Sequence, residues 1–363
     1  MHLEKILLHD FRNIADAQLS FSPGINCISG SNGAGKTNLL DAVYYLSMTK
    51  SHFSASDQYL IRHGCEEAVV AGTYRMDNGC EEKVAVSLRK GEKTVRRGEK
   101  PYQRLSDHIG LIPVVVVSPA DSALVNDSGD ERRKYLNFIL SQIDKAYLSH
   151  IQQYNQLLLR RNKLLHDGVE SGLLLETVSE QMEPHAQYVY EARRALCEQL
   201  LPITQSLYDR LCGGGEEVSM EFRSHLSAHS FTELMAQNAE KDRALGFTLG
   251  GVQRDELHFR LDGHPLRKCG SQGQQKTFLL SLKLAQMQFM RERYGLKPIL
   301  LLDDVFDKLD TNRVELLLSL TASSDFGQIF LTDSNKVRVE GIVNRFKADC
   351  AFFAVEGGRY ETR

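Results

Sequence analysis

The segment "GSNGAGKT", residues 30–37, constrains this chain of 363 residues more than any other. It follows the apolar run "INCIS" and precedes "NLLDAVYYLS", a succession typical of a strand, a loop and a helix. The pattern G-x-x-x-x-G-K-[ST] in that setting predicts a phosphate-binding loop, because glycines let backbone N–H groups at a helix N-terminus surround an anion. The alternative is a Gly-rich turn between strand and helix that holds no ligand.

The side chains of this loop predict how a nucleotide and Mg²⁺ are held. We expect Lys36 to reach the β- and γ-phosphates, which gives it a catalytic as well as a binding role, and the Thr37 hydroxyl to bind Mg²⁺. The predicted nucleotide-binding residues are Gly30, Ser31, Asn32, Gly33, Ala34, Gly35, Lys36, Thr37 and Asn38.

A second segment, "ILLLDDVF" at residues 299–306, ends an apolar strand with two aspartates. Burying adjacent carboxylates is costly without a cation, so we predict that Asp303 is the Mg²⁺ carboxylate. Asp304 is predicted to be the catalytic carboxylate that orients or deprotonates the attacking water. The alternative for Asp304 is an amino-terminal helix cap.

A third segment, "GSQGQQKT" at residues 270–277, places Ser271, Gly273 and Gln274 at the start of a predicted helix. A serine before a helix is common as a purely structural cap. The order of the segments is more specific: glycine loop, helical insertion, Ser-Gly-Gln helix and Asp-Asp strand follow one another as in ABC-type ATPases. In those proteins the Ser-Gly element contacts the γ-phosphate bound by the opposite subunit, so ATP joins two copies.

The pattern of apolar residues predicts an α/β fold interrupted by a helical insertion. Strand patterns dominate the first 118 residues and include a hairpin at "DNG". Helical spacing covers about 129–167 as one long helix and about 172–211, where Pro184 and Pro202 are expected to break or kink the helix. We therefore predict an ABC-type ATPase head with mixed sheets and an inserted arm. The two halves of the head are predicted at residues 1–118 and 217–363, and the helical arm domain at residues 119–216.

Charge and composition bear on the partners. The net charge of −3 provides no global attraction to DNA, so phosphate contacts must come from local clusters. The candidates are Lys93, Arg96 and Arg97 in a predicted hairpin and Arg132 and Arg133 at the start of the arm. A solvated charged face is the alternative, because acidic residues lie beside both clusters. Early charged residues argue against a signal peptide, and no run approaches the ~20 apolar residues of a membrane span, so we expect a cytoplasmic location and no membrane partner.

Together with "LHDFRNI", "VVVVSPADSALV" and "GGVQRDEL", these segments resemble the RecF family, small SMC-like ABC ATPases of bacterial recombinational repair, over essentially the whole chain. The resemblance implies an ATP-dependent homodimer that binds single-stranded and duplex DNA, recognises gap junctions, and acts with RecR and RecO to help load RecA. It also implies that Ser271 acts in trans on ATP, and that Asp310 lies in a loop that meets the partner subunit.

Two departures from the ABC pattern bear on the reaction. The segment "FLTDS" has Thr332 and Asp333 where many ABC proteins have a switch histidine, and no Q-loop glutamine can be placed. We therefore expect weak ATP hydrolysis that serves DNA binding and dimer release. Two other functions remain open: a nucleotide-binding subunit of a transporter-type ABC system, and a non-hydrolysing scaffold that ATP joins into pairs. The long segment between Thr37 and Ser271 argues against the first, and the presence of Asp304 argues in part against the second.

Overall fold

The computed structural model describes residues 1–127, 129–168, 172–295, 297–305, 319, 327–334, 341 and 349–362. The chain divides into two compact units, which we call unit 1 (Met1–Asp121 and Lys283–Arg363) and unit 2 (Ser122–Leu282). The glycine loop and the Asp-Asp segment belong to unit 1, and the Ser-Gly-Gln segment belongs to unit 2. No described helix combines the length and the apolar character that spanning a bilayer requires.

Unit 1 begins with an antiparallel sheet. The first elements of unit 1, in chain order, are β1 (His2–Phe11), β2 (Ile14–Ser20), β3 (Ile25–Gly30), α1 (Lys36–Met48), β4 (Glu67–Arg75), β5 (Glu81–Arg89), β6 (Glu92–Arg97), β7 (Lys100–Pro101) and β8 (Val114–Val117). The described strands of this sheet have the order β2-β1-β4-β5-β6-β7. The hairpin predicted at Asp-Asn-Gly is confirmed: Met76 N–H donates to the carbonyl oxygen of Cys80 over 2.9 Å, and Gly79 has φ +80°.

Unit 2 begins with the helices α2 (Ser122–Asn126), α3 (Gly129–Ile143), α4 (Lys145–His166) and α5 (Gly172–Cys212). The prediction of one unbroken helix over 129–167 is wrong, because Asp144 separates α3 from α4. Its backbone is extended, and its carboxylate Oδ1 accepts from the N–H groups of Ala146 and Tyr147 over 2.9 and 3.0 Å. This is an N-cap, which starts a new helix.

Of the two effects predicted for Pro184 and Pro202, a break of the second arm helix is wrong, since α5 continues through both residues, and a kink stays a prediction. A proline inside a helix removes one hydrogen bond and costs about 3 kcal/mol or more. The helix offsets this by burying an apolar stripe at helical spacing. The stripe includes Val178, Met182, Ala186, Val189, Leu196 and Leu200.

The remaining elements of unit 2 are β9 (Val218–Arg223), α6 (Phe231–Leu245), β10 (Glu256–Leu261), β11 (His264–Pro265), α7 (Leu266–Cys269) and α8 (Gln272–Tyr294), whose later turns belong to unit 1. The described strands pair antiparallel in the order β11-β10-β9. A capping box between Ser230 and Glu233 starts α6. Residues 217–282 thus fold with the arm helices, whereas the sequence analysis assigns them to the head; the division into functional domains stays a prediction.

A second sheet of unit 1 positions the candidate site. It adds β12 (Ile299–Leu302), β13 (Ile329–Asp333), β14 (Cys350–Glu356) and β15 (Arg359–Thr362) in the order β15-β14-β3-β13-β12-β8. Its neighbouring strands are parallel except β14 and β15. The strands β8, β12 and β13 are buried along their whole length, as the continuous apolar runs of β8 and β12 predict. Because the strands are parallel, their carboxyl ends meet at one edge of the sheet.

Replacing Asp144 tests the cap that divides the arm helices. Asp144→Ala removes the acceptor for two N–H groups at the start of α4, so we expect the free energy of unfolding to fall by about 1 kcal/mol. Asp144→Asn keeps a capping oxygen and should stay within about 0.5 kcal/mol of the wild type. Urea unfolding followed by circular dichroism measures both, and equal losses in the two variants would show that the cap does not stabilise α4.

Candidate functional site

The loop between β3 and α1 has a backbone that glycine adopts readily. Gly33 has φ +79° and Gly35 has φ +118°, both in the left-handed region. At Gly30 the reason is space, since a Cβ there would lie 2.4 Å from the carbonyl oxygen of Val355. Gly35 caps α1 without a side-chain bond, and the first turn of α1 has no acidic residue. The helix N-terminus therefore offers backbone N–H groups and a partial positive charge to an anion.

Groups from outside the loop hold its carbonyl oxygens. The oxygen of Ala34 accepts from Gly358 N–H over 2.8 Å and from the Asn13 amide over 3.3 Å, and the oxygen of Gly35 accepts from the Tyr360 hydroxyl over 2.8 Å. Burial raises the pKa of Tyr360, so its hydroxyl remains a donor at neutral pH. These bonds from outside the loop hold its shape. The sequence analysis identified neither Asn13 nor Tyr360, although "LHDFRNI" contains Asn13.

Lys36 is buried and lies across the loop. Its Nζ donates to the carbonyl oxygens of Gly30 over 2.9 Å and Ser31 over 3.2 Å. An ammonium group has three N–H bonds, so one can be donated to a ligand while two hold the loop. A positive charge beside the N-terminus of a helix suits a polyphosphate.

Asp303 connects the loop to two strands of the sheet. Thr37 Oγ1 donates to its carboxylate, at 2.9 Å from Oδ1 and 3.1 Å from Oδ2, and Thr332 Oγ1 donates to Oδ1 over 2.8 Å. Asp303 follows β12, Thr332 lies in β13, and the Asp303 residue is only 5% exposed. The structure therefore brings Thr37 and Asp303 together, and adds Thr332, which the sequence analysis noted only as the replacement for a histidine.

The chemistry of this group fits Mg²⁺ bound together with a phosphate. Mg²⁺ prefers oxygen ligands and usually takes one or two carboxylates from the protein and the rest from phosphates and water. The Thr37 hydroxyl and the Asp303 carboxylate are oxygen ligands of this kind, and they lie at the start of α1. Among the described residues, no group of three or more His, Cys, Asp or Glu side chains could hold a metal ion.

Asp304 has an uncommon backbone conformation, with φ +46°. Its N–H donates to Thr332 Oγ1 over 3.0 Å, so the same hydroxyl contacts both aspartates. A residue with a Cβ in this region costs of order 1–3 kcal/mol, and such residues cluster at functional sites. The conformation supports the hypothesis that Asp304 acts in the site.

The Ser-Gly-Gln segment caps α8 in unit 2. Ser271 Oγ accepts from Gln274 N–H over 3.2 Å, and Gln274 Oε1 accepts from Ser271 N–H over 2.7 Å. This reciprocal pair is a capping box, in which two N–H groups of the helix start are satisfied. Gly273, at the third position of this box, is half-buried. The action of Ser271 on a second copy stays a prediction, and Asp310 lies outside the described residues.

Most of the predicted DNA-contacting side chains have partners within their own unit. In unit 1, Lys93 Nζ donates to the Thr49 carbonyl oxygen and the Asp57 carboxylate, and Arg97 pairs with Glu82. In unit 2, Arg132 donates to the carbonyl oxygens of Leu124 and Asp127. Arg133 donates to the carbonyl oxygen of Asp255 and to the carboxylate of Asp130. Arg96 is exposed on β6, and its side chain forms no hydrogen bond or ion pair with a described residue. Arg96 is therefore the candidate in best position to contact a phosphate.

A cavity of about 1160 Å³ lies beside the loop in unit 1. Arg12, Asn13 and the largely exposed ring of Tyr59 line it. Asn13 accepts from the Asn38 amide over 2.7 Å at the first turn of α1, and Arg12 is held by an ion pair of 2.6 Å with the fully buried Asp41. One residue of the cavity wall, Asn13, thus contacts both the loop and the first turn of the helix that follows it.

Comparisons with known proteins identify relatives over nearly the whole chain. Residues 2–348 match the family described as "RecF/RecN/SMC N terminal domain". The "DNA replication and repair protein RecF" of Parabacteroides distasonis is 43% identical over 361 residues, which are 99% of this chain and 99% of that protein. The protein of the same name from Porphyromonas gingivalis is 42% identical over the same shares of both chains.

Solved structures agree with these relatives. The "recombination mediator protein RecF-ATPrS in RecFOR pathway" superimposes with a TM-score of 0.89 at 28% identity, covering 99% of this chain and 98% of that chain. The Smc head domain from Pyrococcus furiosus superimposes with a TM-score of 0.59 at 16% identity over 100% of this chain and 96% of that chain, a likeness of fold alone. The predicted ABC ATPase head fold is confirmed.

The Thr332 hydroxyl offers a test of the site's internal bonds. Thr332→Val removes a donor to Asp303 and an acceptor for Asp304 N–H in a buried setting, so we expect the free energy of unfolding to fall by roughly 1–3 kcal/mol. Thr332→Ser keeps the hydroxyl, so its free energy of unfolding should fall clearly less. Guanidinium unfolding measures the difference, and a valine variant as stable as the serine variant would show that the hydroxyl does not stabilise the aspartates.

Proposed function

The chain belongs to the RecF family of DNA replication and repair proteins, and on that premise we propose that it binds ATP and Mg²⁺ at the glycine loop and uses the nucleotide to pair two copies of itself on DNA. The observation that carries this proposal is the 2.9 Å hydrogen bond between Thr37 and Asp303 at the N-terminus of α1. It joins the loop to a buried carboxylate in a set of oxygen atoms suited to Mg²⁺ and phosphate. A RecF structure described with ATP supports the choice of nucleotide.

Each residue of the site has a task in this proposal. The N–H groups of residues 31–38 and the Lys36 ammonium bind the phosphates, and Thr37 and Asp303 hold Mg²⁺. When bound, Mg²⁺ neutralises charge on the β- and γ-phosphates. The cavity lined by Asn13 and Tyr59 would hold the nucleoside, and the Tyr59 ring is available there for stacking. Contacts from Asn13 and Tyr360 keep the loop in its binding shape and lower the cost of ordering it.

Asp304 orients the attacking water and accepts its proton. The Thr332 hydroxyl accepts from the backbone N–H of Asp304 and thereby sets the position of Asp304. Many ABC proteins carry a histidine at the position of Thr332. A threonine hydroxyl does not titrate near neutral pH, so it orients groups without taking a proton from the water. Hydrolysis is therefore slow, and it serves to release the paired copies.

Pairing completes the site because Ser271 acts on the nucleotide held by the other copy. The bond from Gln274 N–H uses a lone pair of Ser271 Oγ, so the hydroxyl proton can be donated to a phosphate oxygen. Gly273 lets the start of α8 come close to the phosphate. Membership of the RecF family argues against the transporter-type alternative. The behaviour of a chain with a substituted Asp304 distinguishes a non-hydrolysing scaffold from the proposed function.

The pathway assignment rests on relatives. A similar protein is described as a recombination mediator in the RecFOR pathway. We extend this to a role at gap junctions between single-stranded and duplex DNA, together with RecR and RecO, that helps load RecA. Work on chromosomal DNA requires a cytoplasmic location in a bacterium.

Asp304→Asn tests the catalytic assignment. The variant keeps the shape of the side chain and loses the base, so we expect ATP hydrolysis to fall by about 100-fold or more and a stable dimer to accumulate with Mg²⁺ and ATP. Light scattering after size exclusion and phosphate release measure the two effects. Lys36→Ala, which loses a phosphate contact, should remain monomeric. An Asp304→Asn chain that stays monomeric at saturating ATP while the wild type dimerises would sink the gating mechanism.

Arg96→Ala tests the DNA assignment of β6. If Arg96 contacts one phosphate, duplex binding should weaken, and the slope of log K against log salt should become shallower by about 1. Arg223→Ala removes the same charge from an exposed position of β9 and serves as the control. Fluorescence anisotropy at several salt concentrations with ATP measures both slopes. An unchanged slope for Arg96→Ala would remove this cluster from the DNA interface.

A further inference from the structure

Glu216 links the arm helix α5 to the start of α8. Its carboxylate accepts from the Tyr208 hydroxyl on α5 and, through Oε1, from the Gln274 amide over 2.6 Å. All of these residues belong to unit 2. The Glu216 carboxylate therefore bridges Tyr208 of the arm and Gln274 of the capping box that contains Ser271.

The bond to Glu216 sets the orientation of the Gln274 amide. A carboxylate accepts hydrogen bonds and donates none, so it selects the Nε2 end of the amide. The Oε1 end then faces Ser271 and accepts its N–H over 2.7 Å. Ser271 is held a second time, because its Oγ accepts from Gln274 N–H over 3.2 Å. The position of the Ser271 hydroxyl thus depends on Gln274, and the side chain of Gln274 depends on Glu216.

The position of Glu216 depends in turn on α5. The chain leaves this helix through three glycines, Gly213, Gly214 and Gly215, with φ of +89°, +82° and +96°. A Cβ on any of them would have no atom within 4 Å, so packing does not hold this turn. Gln205 of α5 holds it instead: its Nε2 donates to the carbonyl oxygen of Glu216 over 3.0 Å, and its Oε1 accepts from Val218 N–H over 2.6 Å.

We propose that Glu216 is a positioning residue that couples the helical arm to Ser271, so that a shift of α5 changes how well Ser271 contacts the nucleotide of a second copy. The inference rests on the proposed function, because it assigns Ser271 to the paired site. The hydrogen bonds run in one series from Tyr208 and Gln205 through Glu216 to Gln274 and Ser271. A partner or DNA strand that moves the arm thereby strengthens or weakens pairing without touching the glycine loop.

Glu216→Gln is the central variant. It keeps the size of the side chain and loses the carboxylate that accepts from Tyr208 and Gln274 together. We expect the dimer dissociation constant with Mg²⁺ and a non-hydrolysable ATP analogue to rise by about tenfold, a factor typical of coupled sites. The affinity of the monomer for the same nucleotide, measured well below the dimerisation concentration, should be unchanged. A purely structural role would not separate these two constants.

Two further variants make the test specific. Glu217→Gln removes the same charge from the neighbouring exposed residue and should pair like the wild type. Tyr208→Phe removes the arm hydroxyl that donates to Glu216 and leaves the bond between Glu216 and Gln274, so it should weaken pairing in the same direction as Glu216→Gln but less. If Glu216→Gln does not fold, the Tyr208→Phe variant tests the proposal in its place. Analytical ultracentrifugation across protein concentration gives the dimer constants, and circular dichroism confirms folding.

The outcomes separate this inference from the proposed function. A wild-type chain that stays monomeric with the nucleotide overturns pairing and, with it, the role of Glu216. A wild-type chain that dimerises while Glu216→Gln and Tyr208→Phe dimerise as tightly overturns the inference alone. Equal weakening in Glu216→Gln and Glu217→Gln would also overturn it, because the effect would then reflect net charge.

Discussion

The candidate site depends on one buried carboxylate. Asp303 is nearly inaccessible at the end of β12, where an ionised group is stable only if donors or a cation face it. The hydroxyls of Thr37 and Thr332 supply the donors, and they belong to α1 and β13. This single side chain therefore sets the helix that carries the glycine loop against the sheet, and in the proposed function the same carboxylate serves as a ligand of Mg²⁺.

The shape of the glycine loop depends on residues outside it. Buried carbonyl groups need donors. Gly358, Asn13 and Tyr360 provide donors to the carbonyl oxygens of the loop from the two ends of the chain. The loop that we propose binds phosphate thus takes its shape from the fold of unit 1 as a whole rather than from eight consecutive residues.

At the start of α8, the structural and functional interpretations of Ser271 are compatible. The capping box satisfies the helix start and also fixes the serine hydroxyl, so the bonds that stabilise the helix prepare the group that would meet a phosphate. The link through Glu216 extends this preparation to α5. In the proposed function, a helical arm far longer than the cap itself would influence pairing through these few hydrogen bonds.

The sequence by itself determined the strand, glycine loop and helix at residues 25–48, the Asp-Asp strand end and the α/β class, because these follow from short-range backbone rules and from apolar periodicity. Tertiary structure decided the rest. It assigned Thr332, Asn13 and Tyr360 to the site and carried α5 through its prolines. These features depend on hydrogen bonds and burial between residues far apart in the chain, and a local pattern does not encode such partners. The cap that divides the arm helix at Asp144 is local, since its carboxylate accepts from the residues two and three positions later, although the helical spacing on both sides of it predicts one helix.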